Sequence, residues 1–210
     1  MKLGSASLFT AMLVALVAIP ATAQTVYSNG PINGNTDAWT INFGFIVSDT
    51  FNVSNNGATI TGASFGLWLM PGDPPLSSVD LSITSGENGG TSYFDQTVNI
   101  TQGTCTLNQF GFNVCVDNTT FNGPTLNVGT YWLNLQQACD QCGGPAYWDE
   151  NSGPSQASEN SVGSIPSESF TIFGTGSTTS TTASVPEPSS IMLLGSGVLG
   201  LASLLRRRLL

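Results

Sequence analysis

The sequence predicts an all-β fold: a jelly-roll-like β-sandwich, with an N-terminal signal helix and a C-terminal transmembrane helix. Three observations predict it. Between Gln24 and Phe173 no stretch offers three turns of apolar residues at helical spacing. Short runs of β-branched and aromatic residues recur there instead, with alternating polar positions. Clusters of Gly, Pro, Asn and Ser punctuate the runs, and the chain holds 24 Gly and 11 Pro. Strands at this spacing imply two sheets packed face to face.

The elements follow in order. Met1 and Lys2 make a short positive start, and "LFTAMLVALVAI" (Leu8 to Ile19) is an apolar run of signal-peptide length. Ala21 and Ala23 then give the small-residue pattern of a signal-peptidase site, so residues 1–23 are expected to be a signal peptide. The sandwich domain is expected over residues 24–173. "AWTINFGFIVSDTFNV" alternates around Trp39, Ile41 and Phe43 and again from Thr50 to Val53; "SNNG" then turns the chain. "TITGASFGLWLM" is the most apolar run and reads as a central strand, ended by "PGDPP" because proline cannot donate to a ladder. "SVDLSIT" sets Val79, Leu81 and Ile83 against Ser78, Asp80, Ser82 and Thr84, one dry face and one wet. "TSYFDQTVNIT", "TLNVGTYWLNLQ" and "ESFTIFG" supply the remaining strands. Residues 174–184 are almost all Gly, Ser and Thr; they bury nothing and read as a tether.

Charge excludes several functions. The chain has 4 Lys or Arg, 13 Asp or Glu and no His. The cations are Lys2, Arg206, Arg207 and Arg208, so between Gln24 and Val185 stand 12 acids and no cation. Nucleic-acid binding draws on Lys and Arg at phosphates, and none are present in the domain. Phosphorylated metabolites lose their cationic clamps, and a His base or Lys nucleophile is not on offer. Carboxylate chemistry, cation binding, and recognition by aromatic and amide groups remain.

Cys105, Cys115, Cys139 and Cys142 are an even number in an exported chain, so two disulfides are expected. Of the three pairings, the local ones are favoured. Cys105–Cys115 would pin a hairpin around "NQFGF", and Cys139–Cys142 would close a small loop in "CDQC". A redox pair lacks its helical context, and a zinc site lacks a second C-x-x-C.

The C-terminal segment reads as a membrane stop. Ser189 to Leu205 is uncharged and mostly apolar; as a helix it would span roughly 25 Å, the short end of a crossing. Arg206, Arg207 and Arg208 lie just past it, on the side the positive-inside rule holds in the cytoplasm. Ahead of it stands Val185-Pro186-Glu187-Pro188. This motif, the short apolar helix and the arginine cluster, in that order over residues 185–210, resemble the PEP-CTERM sorting signal of Gram-negative bacteria. The resemblance implies processing near the Pro-Glu-Pro by an exosortase, an integral-membrane cysteine peptidase. It also implies transient anchoring in the inner membrane, then release to the cell surface or an exopolysaccharide matrix. The stretches "PGDPPLSSVDLSI", "GTYWLNLQ", "AYWDENSGP" and "GSIPSESFTI" resemble the domains of other PEP-CTERM proteins of unassigned function. That resemblance implies a jelly-roll-like sandwich and brings no activity with it.

The richest chemistry is in "GGPAYWDENSGPS". Tyr147 and Trp148 offer ring faces for sugars; Asp149, Glu150 and Asn151 offer hydrogen bonds for hydroxyls. Trp39, Trp68 and Trp132 would add platforms if they faced outward. Asp149 and Glu150, with Asp37, are also weak calcium candidates, although no D-x-D-x-D loop occurs. Paired carboxylates alone do not make a glycosidase, and no basic residue is present to tune one. The expectation is therefore a secreted surface or biofilm-matrix protein, structural or polysaccharide-binding, without enzymatic activity and without a cofactor beyond structural calcium. A glycan-cleaving enzyme and a calcium-stabilised adhesion module are the alternatives.

Overall fold

A computed structural model describes residues 23–139 and 143–176. Residues 1–22 of the expected signal peptide, residues 177–184 of the expected tether and the tail from Val185 to Leu210 lie outside the described residues. So does Cys142, and with it the expected Cys139–Cys142 bridge.

The described residues are all-β. The first strands are β1 (Gln24–Ser28), β2 (Ala38–Thr40), β3 (Ile46–Val53), β4 (Ala58–Leu69) and β5 (Ser78–Gly86). Then come β6 (Gly89–Asn99), β7 (Thr101–Leu107), β8 (Asn113–Thr120), β9 (Thr125–Leu126) and β10 (Gly129–Cys139). The last are β11 (Tyr147–Asp149), β12 (Ala157–Glu159), β13 (Gly163–Ile165) and β14 (Phe170–Thr175).

They form two sheets, every pairing antiparallel. One sheet runs β1-β14-β4-β11-β2, with β8 and β9 on the far edge of β4 and β7 beyond β8. The other runs β13-β12-β3-β10-β5-β6. The long apolar β4 is central to the first sheet because only a strand buried on both faces tolerates so continuous an apolar run. In β5 the dry face read from sequence holds, with Val79, Leu81 and Ile83 fully buried; Thr84, expected on the wet face, is buried as well, donating to the Gly86 carbonyl. The three apolar side chains meet Phe65, Leu67, Phe170 and Ile172 of the first sheet in one continuous core. Each such side chain contributes about 1.5–3 kcal/mol when fully buried.

The hairpin predicted around "NQFGF" is β7–β8. Cys105 and Cys115 are register partners on it and form a disulfide. Asn108 closes its turn, its Oδ1 accepting from the N–H groups of Phe110 and Phe112 at 3.0 and 2.9 Å.

One stretch differs from expectation. "AWTINFGFIVSDTFNV" is not one alternating segment but β2 and β3, separated by a turn in which Phe43 adopts φ 57° and is 63% exposed. Gly44, also left-handed at φ 93°, allows the chain to reverse there. β2 thus joins one sheet and β3 the other.

Candidate functional site

The "AYWDEN" loop folds inward. Tyr147, Trp148 and Asp149 make up β11, which fills a gap between β2 and β4. Trp148 is fully buried, with edge-to-face contacts to Phe65 and Phe170 at 6.0 and 5.6 Å. Its Nε1 donates to the Ser169 carbonyl at 2.9 Å.

Asp149 points the other way along the strand and is also fully buried. Four donors converge on its carboxylate. Asn33 N–H and Ser169 Oγ–H reach Oδ2 at 3.0 and 2.9 Å; Gly34 N–H and Trp68 Nε1–H reach Oδ1 at 3.0 and 2.7 Å. Burial raises its pKa, and the hydrogen bonds from Trp68, Asn33, Ser169 and Gly34 pull it back. Gly66 permits this junction: a Cβ there would lie 2.4 Å from Ser169 Oγ and 2.8 Å from Asp149 Cβ. Glu150 Oε2 accepts from Trp39 Nε1 at 3.1 Å, and Asn151 Nδ2 donates to the Asn29 carbonyl.

These facts correct the reading of Tyr147, Trp148, Asp149, Glu150 and Asn151 as an exposed sugar-binding loop. Only Tyr147 keeps a partly open face. Burial removes Trp148 as a stacking platform, and Asp149 has no lone pair left for calcium. The segment ties the sheet together from inside.

What the loop builds is a buried polar network between the sheets. β3 places Asp49 in phase with Val47, Phe51 and Val53, so it faces the core. Glu168 precedes β14 in phase with Phe170 and Ile172, and it bridges Glu150 across the sheet. Asp49 and Glu168 are both fully buried. Asp49 Oδ2 accepts from the Glu168 N–H at 2.7 Å, whereas Asp49 Oδ1 and both Glu168 carboxylate oxygens have no hydrogen-bond partner. Burial pushes Asp49 up to about 7, opposed by the nearby Ser155 hydroxyl, the Glu168 N–H and the Thr50 N–H, of which only the Glu168 N–H reaches it in hydrogen-bonding geometry. Burial also holds Glu168 well above the usual carboxylate range, and the charges of Asp49, Glu150, Asp149 and Asp37 add to the effect. Glu150 is raised mainly by burial, with Trp39 opposing.

Above the network lies a cleft of about 550 Å³. Asn151, Ser155 and Ser167 belong to both: they tie into Asn29 below and line the cleft above. Ser152, Gln156 and Ser164 add further hydroxyls and an amide, while Ala157, Ile165, Pro166 and the half-buried Trp132 give the walls apolar patches. Glu87, exposed, is the one ionisable residue among the described residues that line it. Trp68, in contrast, is 4% exposed and stacks under Phe110 at 5.8 Å. Trp39 is half-buried with its indole N–H on Glu150.

Sequence reasoning missed Asp49, Glu168 and the cleft. A signal for both acids was present: each occupies an inward position in an otherwise apolar alternation.

The decisive comparison concerns the tail. A family model of the PEP-CTERM protein-sorting motif matches residues 184–208. The chain carries a PEP-CTERM sorting motif. The match takes in Val185-Pro186-Glu187-Pro188 and Arg206 to Arg208, all outside the described residues. The motif implies export, membrane-associated sorting toward the cell surface, and an exosortase as processing partner. No curated protein matches the chain.

Proposed function

We propose that this chain is a surface or biofilm-matrix component that binds polysaccharide in the cleft beside Trp132. The carrying observation is the cleft itself: hydroxyls and amides interleaved with Ala157, Ile165 and Pro166, and one indole at the side. Sugars are recognised by that combination, ring faces against an aromatic and hydroxyls against neutral donors and acceptors. The PEP-CTERM motif supports placement where such polymers are found.

The proposed route follows from the sequence. Signal peptidase removes residues 1–23. The apolar segment from Ser189 to Leu205 anchors the chain in the inner membrane until the exosortase cuts near Pro186-Glu187-Pro188. Gly174 and Thr175, expected in the tether, belong to β14, so residues 177–184 then act as the tether of a jelly-roll-like domain. The role is binding rather than cleavage. Hydrolysis of a glycosidic bond uses two carboxylates about 5–10 Å apart, and Glu87 is the sole acid among the described cleft residues.

The test is calorimetric titration of the purified protein with the host's exopolysaccharide and a panel of defined glycans. Trp132→Ala is expected to weaken binding at least tenfold with the fold intact. Unchanged affinity in that variant would remove the cleft from the reading, and new reducing ends in the mixture would replace binding by catalysis.

A further inference from the structure

We propose that Asp49 and Glu168 hold a divalent, oxygen-seeking cation, calcium in an exported protein, in the interior beneath the cleft. The two residues come from opposite sheets: Asp49 accepts from the Glu168 backbone N–H, and the Asp49 charge acts on the Glu168 carboxyl. Both are fully buried, and three of their four oxygens have no hydrogen-bond partner. A buried carboxylate without a counter-charge is disfavoured, and the usual remedy is a neighbouring Lys or Arg. None is available anywhere between Gln24 and Val185. The other charges felt by Glu168, those of Glu150, Asp149 and Asp37, are all negative.

A second observation at the same place points to a cation. Asn29 Nδ2 faces four oxygens: Ser155 Oγ, Ser167 Oγ and the Glu168 carbonyl, each at 2.6 Å, and Asp49 Oδ2 at 3.4 Å. An amide nitrogen has two hydrogens, so acceptors outnumber donors. Turning the amide over would add Asn29 Oδ1 to the group, with Tyr27 Oη, now 3.2 Å from it, accepting from the displaced NH2. The spot is therefore rich in oxygen, and the Ser155 and Ser167 hydroxyl protons are directed to Ser167 Oγ and Asn151 Oδ1. Calcium takes six to eight oxygens, mixing carboxylates with carbonyl, amide and hydroxyl oxygens, and the two carboxylates match its charge.

Among the described residues no group of three or more His, Cys, Asp or Glu forms a metal-holding set. The site thus rests on two carboxylates completed by neutral oxygens. Fewer charged ligands mean weaker binding, in the range of about 10⁻⁴–10⁻³ M seen for extracellular calcium modules. The cation would brace the floor that Ser155 and Ser167 share with the cleft. The inference does not depend on glycan binding.

The experiment uses the full chain in detergent, stripped with EDTA and titrated with calcium chloride at pH 7.5. Terbium luminescence, excited through nearby Tyr27, reports occupancy, and thermal unfolding reports stability. At about 10 mM calcium, mass action should shift the folding equilibrium about ten- to hundred-fold, reversibly with EDTA. Asp49→Asn and Glu168→Gln, both close to isosteric, should fold and lose the calcium response and the terbium signal. If either variant fails to fold, displacement of terbium by calcium from the unaltered protein decides the matter. No terbium signal, or a melting temperature indifferent to calcium and rising as pH is lowered, would overturn the proposal. The pair would then be neutralised by protons. A full calcium response in Glu168→Gln would overturn it equally.

Discussion

The four hydrogen bonds on Asp149 make a prediction in which acceptor geometry and charge can be separated. In Asp149→Leu the shape is roughly kept and every acceptor is lost. Gly34 N–H, Trp68 Nε1–H and Ser169 Oγ–H are then buried without partners, and Asn33 N–H, nearer solvent, can turn to water. Each buried orphan costs about 1–3 kcal/mol, so three cost at least about 3 and as much as about 9 kcal/mol. That is a large share of the roughly 5–15 kcal/mol that holds a domain together. In Asp149→Asn the outcome is milder. The amide oxygen, placed at Oδ1, keeps Gly34 and Trp68, and the NH2, placed at Oδ2, donates to the Ser169 hydroxyl, which can also accept. Only the Asn33 N–H then faces another donor, at a cost of about 1–2 kcal/mol. The charge itself is no asset, since burial raises the Asp149 pKa. Urea unfolding followed by tryptophan fluorescence and circular dichroism should therefore rank the proteins wild type, Asn, then Leu, with the second step larger. A Leu variant within about 1 kcal/mol of wild type would refute the reasoning, as would an Asn variant as damaged as Leu.

Two further predictions concern the β7–β8 hairpin. Asp117, on β8, is fully buried with neither carboxylate oxygen hydrogen-bonded, and burial pushes it up to about 7; the Gly103 N–H opposes the shift from outside hydrogen-bonding geometry. A carboxyl raised in the folded state contributes stability below its unfolded value near 4, and that stability is lost as pH rises to about 7. Three units correspond to about 4 kcal/mol. Asp117→Asn should hence be more stable than wild type by up to that amount at pH 7.5 and by little at pH 4, measured by urea unfolding at both; a gap that fails to shrink in acid contradicts this. Reducing Cys105–Cys115, with its sequence separation of 10, should lower stability by about 3 kcal/mol through unfolded-state entropy; a reduced protein that unfolds at the same urea concentration contradicts that.

The parts of the fold legible in the sequence are those where alternation runs long enough to show its phase. β5 and β10 each hold three inward apolar residues in step, and both were recovered as strands, β5 with its dry face. β11 is three residues long, too short for phase to show, and its polar composition suggested an exposed loop. Only tertiary context reveals that it completes a sheet between β2 and β4. β8 was legible only as the second arm of the Cys105–Cys115 hairpin, because Asp117 and Thr119 occupy inward positions and break the apolar pattern. The sorting motif of the tail was legible because a sorting signal is read as linear sequence, without a fold. The cleft was not, because its walls come from β10 and from the segments flanking β12 and β13, brought together only by sheet pairing.

The absence of cations from the domain has a structural consequence that reaches the candidate site. Asp49, Asp117, Asp149, Glu150, Glu159 and Glu168 are all buried. Buried acids are ordinarily paired with Lys or Arg, and here none can be. The chain uses neutral donors where the backbone brings them close. Asp149 gathers four, Glu150 takes the Trp39 indole, and Glu159 takes the N–H and hydroxyl of Ser161 at 3.1 and 2.6 Å. At Asp49, Glu168 and Asp117 the supply of donors ends and orphan oxygens remain. Asp117 stands alone, so a single proton suffices to neutralise it. Asp49 and Glu168, joined through the Glu168 N–H, border a nest of other oxygens, where on the proposal above one divalent ion would do what two protons otherwise must. The same deficit of positive charge thus requires a different remedy at each place, and only the paired one sits under a cleft open to solutes.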